Sequence, residues 1–179
     1  MKKSKEEIRD WLLENCVNEK GDLDLISLDF SNFKGDVDIS YMKVKKSLFQ
    51  HSQKVEKDLW QNNQRIKGNL YQENQEVAGD LSQYHQNVTG DLWQYNQNVK
   101  SNLYQDSHIV EGDLFQAFQK VKKDLFQNNQ EVGKDLYQHT QDIKGNLWQY
   151  NQKIKGNLYQ FNQKIEGYLY QYIPKVKES

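Results

Sequence analysis

Gly90-Asp91-Leu92-Trp93-Gln94-Tyr95-Asn96-Gln97-Asn98-Val99-Lys100 is one clean copy of an eleven-residue unit that the chain repeats in register, with its leucine recurring from Leu48 to Leu169. Numbered so that this leucine is position 3, twelve copies carry leucine there and glutamine at position 5. Position 10 is always Val or Ile, and position 8 is glutamine except at His108 and Pro174. Position 4 is aromatic except at Ser82, seven copies begin with glycine, and position 7 is often Asn. Self-similarity at a fixed short period marks a repeat architecture in which each unit leans on its neighbours.

Two backbones fit an eleven-residue period. An α-helix with eleven residues in three turns places positions 3 and 10 on one stripe. It would also put seven glycines in helix interiors, at about 0.8–1 kcal/mol each. The glutamines would then face water, which accepts any polar residue and gives no reason for their constancy. In a β reading, positions 2–5 and 8–10 are short strands with corners at 6–7 and 11–1. Side-chain alternation then points positions 3, 5, 8 and 10 the same way. If that way is inward, each glutamine stacks on its equivalent and the amides hydrogen-bond as a ladder. A buried amide without a partner costs several kcal/mol, which explains the repetition.

Residues 35–45 form an earlier copy in the same register, with Ile39 at position 5 and Met42 at position 8. Apolar residues replace glutamine at just the positions assigned to the interior. The fold expected is therefore all-β: a single-stack β-solenoid of eleven-residue repeats, with either one or two repeats per coil. The units show no convincing alternation, which favours one per coil and a rod roughly 60 Å long at about 4.8 Å per rung.

Three segments are expected: an N-terminal α-helical cap over residues 1–20, irregular first coils over 21–45, and the repeat solenoid over 46–179. Ser4-Lys5-Glu6-Glu7 reads as a capping box, followed by Ile8, Trp11, Leu12 and Cys16 on one helix face, with Gly21 as a stop. Leu23, Leu25, Leu28, Phe30 and Phe33 supply the first coil's apolar contacts, and Pro174 blunts the far edge.

Charge is nearly balanced, 24 Lys and Arg against 25 Asp and Glu, so no global field calls for nucleic acid or an anionic membrane. The single cysteine, Cys16, forms no internal disulfide, and neither an apolar signal core nor a long apolar span is present. A cytoplasmic protein is expected. His51, His85, His108 and His139 are too far apart to converge on a metal, and no nucleotide fingerprint is present. Hence no cofactor and no enzymatic activity are expected.

The position-4 residues should point outward as an aromatic ladder. Trp60, Trp93, Tyr104, Phe115, Phe126, Tyr137, Trp148, Tyr159 and Tyr170 are its candidate binding residues, with Trp11 on the cap a weaker one. Stacked rings hold neighbouring coils together, but an apolar strip of this size also suits a protein partner or self-association. Lys144, Lys153, Lys155, Lys164, Lys175 and Lys177 form a basic strip near the C-terminus, and position 2 adds an acidic row from Asp58 to Asp135.

The step from Val88 to Gln94, or from Ile154 to Gln160, resembles undecapeptide repeats in β-solenoid proteins of low-GC Gram-positive bacteria and their phages. Leu23-Asp24-Leu25 through Leu28-Asp29-Phe30-Ser31 is loosely similar to pentapeptide-repeat solenoids. The resemblance implies a solenoid and, by analogy, a phage or mobile-element inhibitor or accessory protein. Pentapeptide solenoids include acidic mimics of DNA, and the balanced charge here departs from that pattern. The functional expectation is a non-enzymatic binding scaffold that engages another protein through its aromatic face or capping helix. The alternatives are a structural or self-associating rod, and an amphipathic 11/3 helix on a membrane surface.

Overall fold

Every coil must return its leucine to the same wall, and the register gives the length of that return: Leu48 pairs with Leu70, Leu70 with Leu92, and Leu92 with Leu114. A computed structural model describes residues 5–25 and 37–172. It is a parallel β-solenoid of about six coils behind one short helix. Each regular coil holds 22 residues, so two sequence units make one turn, and the expectation of one unit per coil is corrected. At about 4.8 Å per rung the stack is roughly 30 Å long. The 11/3 helical alternative does not form.

Each coil has four sides. The first contains Leu48–Phe49, Leu70–Glu73, Leu92–Tyr95, Leu114–Ala117 and the opening halves of Leu136–Ile143 and Leu158–Ile165. The second begins at Lys54–Val55 and Glu76–Val77 and ends in the closing halves of the same two long strands. The third carries the same positions as the first, one unit later, from Val37–Asp38 to Leu169–Gln171. The fourth runs from Lys43–Val44 to Lys153–Ile154. Because the two units of a coil sit half a turn apart, sides one and three are opposite walls.

Corners account for the small residues. Position 7 is left-handed in twelve successive units from Tyr41 to Asn162, with φ between 49 and 63°. Asn tolerates that region better than most residues, which explains its frequency there. Glycine at position 1 has a different cause. Its φ is not left-handed, but a Cβ on Gly112 would lie 2.2 Å from Asp91 Oδ1 and 2.6 Å from the Gly90 carbonyl of the coil below.

Positions 3, 5, 8 and 10 point inward as the alternation requires. Every position-5 glutamine from Gln50 to Gln149 is fully buried, among the leucines, valines and isoleucines of one continuous core. Their amides form columns: Gln94 Nε2 donates to Gln72 Oε1 at 3.1 Å, and Gln116 Nε2 to Gln94 Oε1 at 3.1 Å. Rungs also cross between opposite walls, as from Gln94 Nε2 to Gln83 Oε1 at 3.0 Å. That crossing needs two facing units per coil.

The amide columns are polar, each Nε2 donating towards the N-terminal end. Their first members therefore meet the apolar coil formed by Leu25, Ile39 and Met42, and Gln50 Nε2 and Gln53 Nε2 have no hydrogen-bond partner. On the other side of this apolar coil lies helix α1 (Lys5–Asn15). Leu12 is buried in the common core, with Leu13 and Cys16 partly buried against it. After the helix, Asn18 Oδ1 accepts the amides of Lys20 and Asp22, and Gly21 turns with φ 79°. Leu23 pairs with Leu48 across 25 residues, three more than the regular return of 22. Ser4, Leu28, Phe30, Phe33 and Pro174 lie outside the described residues. At the C-terminal end the inward residues of the last described coil are open, with Leu169 48% exposed and Leu158 and Ile165 partly so.

Candidate functional site

Position 4 lies between inward positions 3 and 5, so its rings project outward, and coil size decides which rings meet. With 22 residues per coil, the expected single ladder divides into two columns on opposite walls. The first side stacks Phe49, Tyr71, Trp93, Phe115, Tyr137 and Tyr159 without interruption, centroids 3.9–6.3 Å apart and planes within 19°. The third side stacks Tyr104, Phe126, Trp148 and Tyr170 at 4.0–6.0 Å. Ser82 separates Trp60 from that stack; its hydroxyl donates to Asn62 Oδ1 at 2.8 Å, and the Tyr84 ring leans over the gap against Tyr104. Of the nine rings expected in one strip, Trp93, Phe115, Tyr137 and Tyr159 share the first wall and the other five share the third. Trp11 is at the far end of the molecule on α1, 43% exposed.

On the first side a second aromatic column runs beside the first over four successive coils, whereas the third side has flanking position-6 rings at Tyr84, Tyr150 and Tyr172. Tyr95 contacts Phe118 at 5.8 Å, Phe118 meets the His139 ring edge-on at 5.3 Å, and His139 stacks on Phe161 at 4.9 Å. Over coils that contain Trp93 to Phe161 the wall is two rings wide. Phe118 is 45% exposed and Phe161 50%, whereas the inner-column rings are mostly half-buried against each other. Sequence reasoning missed Phe118 and His139. The available signal was an exchange of size: Ala117 is the only small apolar residue at position 6, and Phe118 follows at a position otherwise mainly polar.

Burial and neighbouring carboxylates hold phenols of both walls in the protonated form. Burial, aided by Asp106 and other neighbours, pushes the Tyr84 hydroxyl up to about 12. Burial also raises Tyr95, where Glu73 adds to the effect, and Tyr104, where Asp80 does. The phenols therefore stay protonated near neutrality.

The position-2 row has a structural role in place of an outward acidic surface. Asp91 Oδ1 accepts the backbone N–H of Asp113 at 2.9 Å, and Asp113 Oδ1 accepts that of Asp135 at 2.9 Å. The row climbs one coil at a time, satisfying a donor that the strands leave free. On the third side position 6 repeats the device, with Asn62 Oδ1 accepting Tyr84 N and Asn128 Oδ1 accepting Tyr150 N. These short acceptors at alternate units were the faint sign of a two-unit coil.

The four histidines do not meet, and among the described residues no group of His, Cys, Asp and Glu is arranged to hold a metal. His108 takes a glutamine's place in the core, where Nε2 bonds the Gln83 carbonyl and Nδ1 has no partner. The Cys16 thiol is pushed up by burial and by Asp24. No described helix is long and apolar enough to cross a membrane. No family model matches the chain, and neither a curated protein nor a solved structure matches it.

Proposed function

We propose that the protein is a non-enzymatic binding scaffold of the cytoplasm that engages another protein through the first side of its solenoid. The observation that carries this reading is the two-ring-wide aromatic surface built from Trp93, Tyr95, Phe115, Phe118, Tyr137, His139, Tyr159 and Phe161. One column suffices to hold coils together, and on the third side the flanking rings Tyr84 and Tyr150 are separated by Asp106 and Asn128. The exposed second column adds apolar area that the fold itself does not need. Aromatic anchors on a rigid wall lose little entropy on binding and are the residue types enriched at hot spots. The resemblance to phage repeat proteins suits a small accessory or inhibitory protein.

The test is a Phe118→Lys, Phe161→Lys double variant compared with the wild type by circular dichroism, cross-linking and affinity capture. An unchanged β spectrum with partners lost from the variant alone supports the scaffold. Retention of every partner by a folded variant refutes it. The rival reading, a self-associating rod, is favoured by the open inward residues Leu158, Ile165 and Leu169 at the C-terminal end. It predicts a mass that rises with concentration equally in both proteins.

A further inference from the structure

On the fourth side, positions 9 and 11 point outward, and the register places Lys43 directly against Arg65. Lys45 and Lys67 occupy position 11 of the same two rungs, bound in register by Lys67 N donating to the Val44 carbonyl at 3.0 Å. All four are exposed. With rungs about 4.8 Å apart and alternate residues about 7 Å apart along a strand, they form a compact two-by-two plate of cations. Like charges placed opposite each other on neighbouring strands destabilise a sheet.

On other rungs the solenoid sets cations against carboxylates. Lys54 lies 4.0 Å from Glu76, Lys153 lies 2.6 Å from Glu131, and Lys144 meets both Asp142 and Glu166. The column of Lys100, Lys122 and Lys144 on the second side ends on those two carboxylates. Among the described residues, no member of the Lys43, Lys45, Arg65, Lys67 plate forms an ion pair. Lys46, next along the chain, is turned away to the Lys20 carbonyl. The plate frames an open groove of about 310 Å³ whose far edge is formed by Asn87 and Thr89. A second groove of about 570 Å³ shares Lys43, Arg65 and Asn87 and brings Asn63 and His85 to its wall.

We propose that this plate is a binding site for a short polyphosphate group, two or three phosphates linked in a chain. Four uncompensated cations match the charge, Arg65 supplies a bidentate fork, and Asn87 and Thr89 add neutral donors at the edge. The charge along the side fixes the ligand's length. Beyond Asn87 and Thr89 the wall turns to Ile109 and Glu111 and then Glu131, which would repel a longer polyanion, so a nucleic-acid strand does not fit. The site is independent of the aromatic surface, which occupies another wall.

Titration calorimetry with inorganic tripolyphosphate at an ionic strength of about 0.02 M, where screening is weak, tests the proposal. One-to-one binding is expected, weakened about tenfold or more by Arg65→Gln or Lys43→Gln and unchanged by Lys155→Gln at the other end of the same side. Absence of binding to the wild-type chain, or equal loss in Lys155→Gln, overturns it. A nucleoside triphosphate distinguishes sources: equal affinity assigns the site to free polyphosphate, and tighter binding to a nucleotide. A long single-stranded oligonucleotide that binds more tightly than tripolyphosphate also overturns it. Without ligand, Arg65→Gln is expected to melt at the same temperature as the wild type or higher; a lower melting temperature would make the plate a structural element and sink the proposal.

Discussion

His108 is the one glutamine-column position within the described repeats filled by a titratable group, and replacing it by glutamine should remove an acid sensitivity from the whole stack. The imidazole is fully buried, and Nε2–H donates to the Gln83 carbonyl while Nδ1 faces core without a partner. Burial pushes its pKa down from 6.5 to about 4, outweighing the bond to Gln83, with His85 adding to the depression. The folded state therefore requires neutral histidine, whereas the unfolded chain takes up a proton near pH 6.5. The stability tied to the neutral form is complete above about pH 6.5 and is lost as pH falls towards 4. The drop corresponds to about 3 kcal/mol. For a chain of this length that is roughly 6–12 °C in melting temperature.

In His108→Gln the new amide lies between Gln86 and Gln130, and Gln130 Nε2, now bonded only to the Gln105 carbonyl, gains a side-chain acceptor. Thermal melts of both proteins between pH 7.5 and 4, with hydrogen exchange at Ile109 and Val110 to catch local opening of the stack, read out the difference. The gap in favour of the variant should widen by about 3 kcal/mol as pH falls. Asp106, whose carboxyl is raised by burial, works in the opposite direction, but it is present in both proteins and cancels. Parallel stability curves for the two proteins would refute the argument.

Gln94→Leu removes the donor to Gln72 Oε1 and Gln83 Oε1 and the acceptor for Gln116 Nε2. Gln72 Oε1 is then orphaned in the core, and chemical denaturation should register a loss of about 2–4 kcal/mol; a change within experimental error would show that the ladder contributes no net stability. Thr140 is β-branched and left-handed, with φ 53°. Thr140→Asn should relieve about 1 kcal/mol of backbone strain and raise the melting temperature, whereas a fall would mean that the Thr140 hydroxyl beside His139 matters more.

Inside and outside were legible in the repeat itself. Leucine, glutamine and valine at alternating positions can share only one face of a strand, and Ile39 and Met42, both buried, identified that face as the interior. The presence of a helix before the solenoid was legible too, from Leu12 and its neighbours. Coil size was barely so, because both units of a coil present the same inward residues to one core and only outward acceptors such as Asn62 and Asn128 mark alternate units.

Closure of the coil was decided by the corners. Each unit supplies a left-handed residue at position 7 and a bend at positions 11 and 1, and each turns the chain by roughly a right angle. Four such corners close a coil, whereas an eleven-residue coil would need two hairpin-like reversals. That geometry, absent from any single unit, sends Trp93 and Tyr104 to opposite walls, brings Phe118 beside His139, and sets Lys43 against Arg65. Alternation along a strand is local and the sequence determines it; which strands lie side by side is a property of the closed coil, and only the tertiary structure decides it.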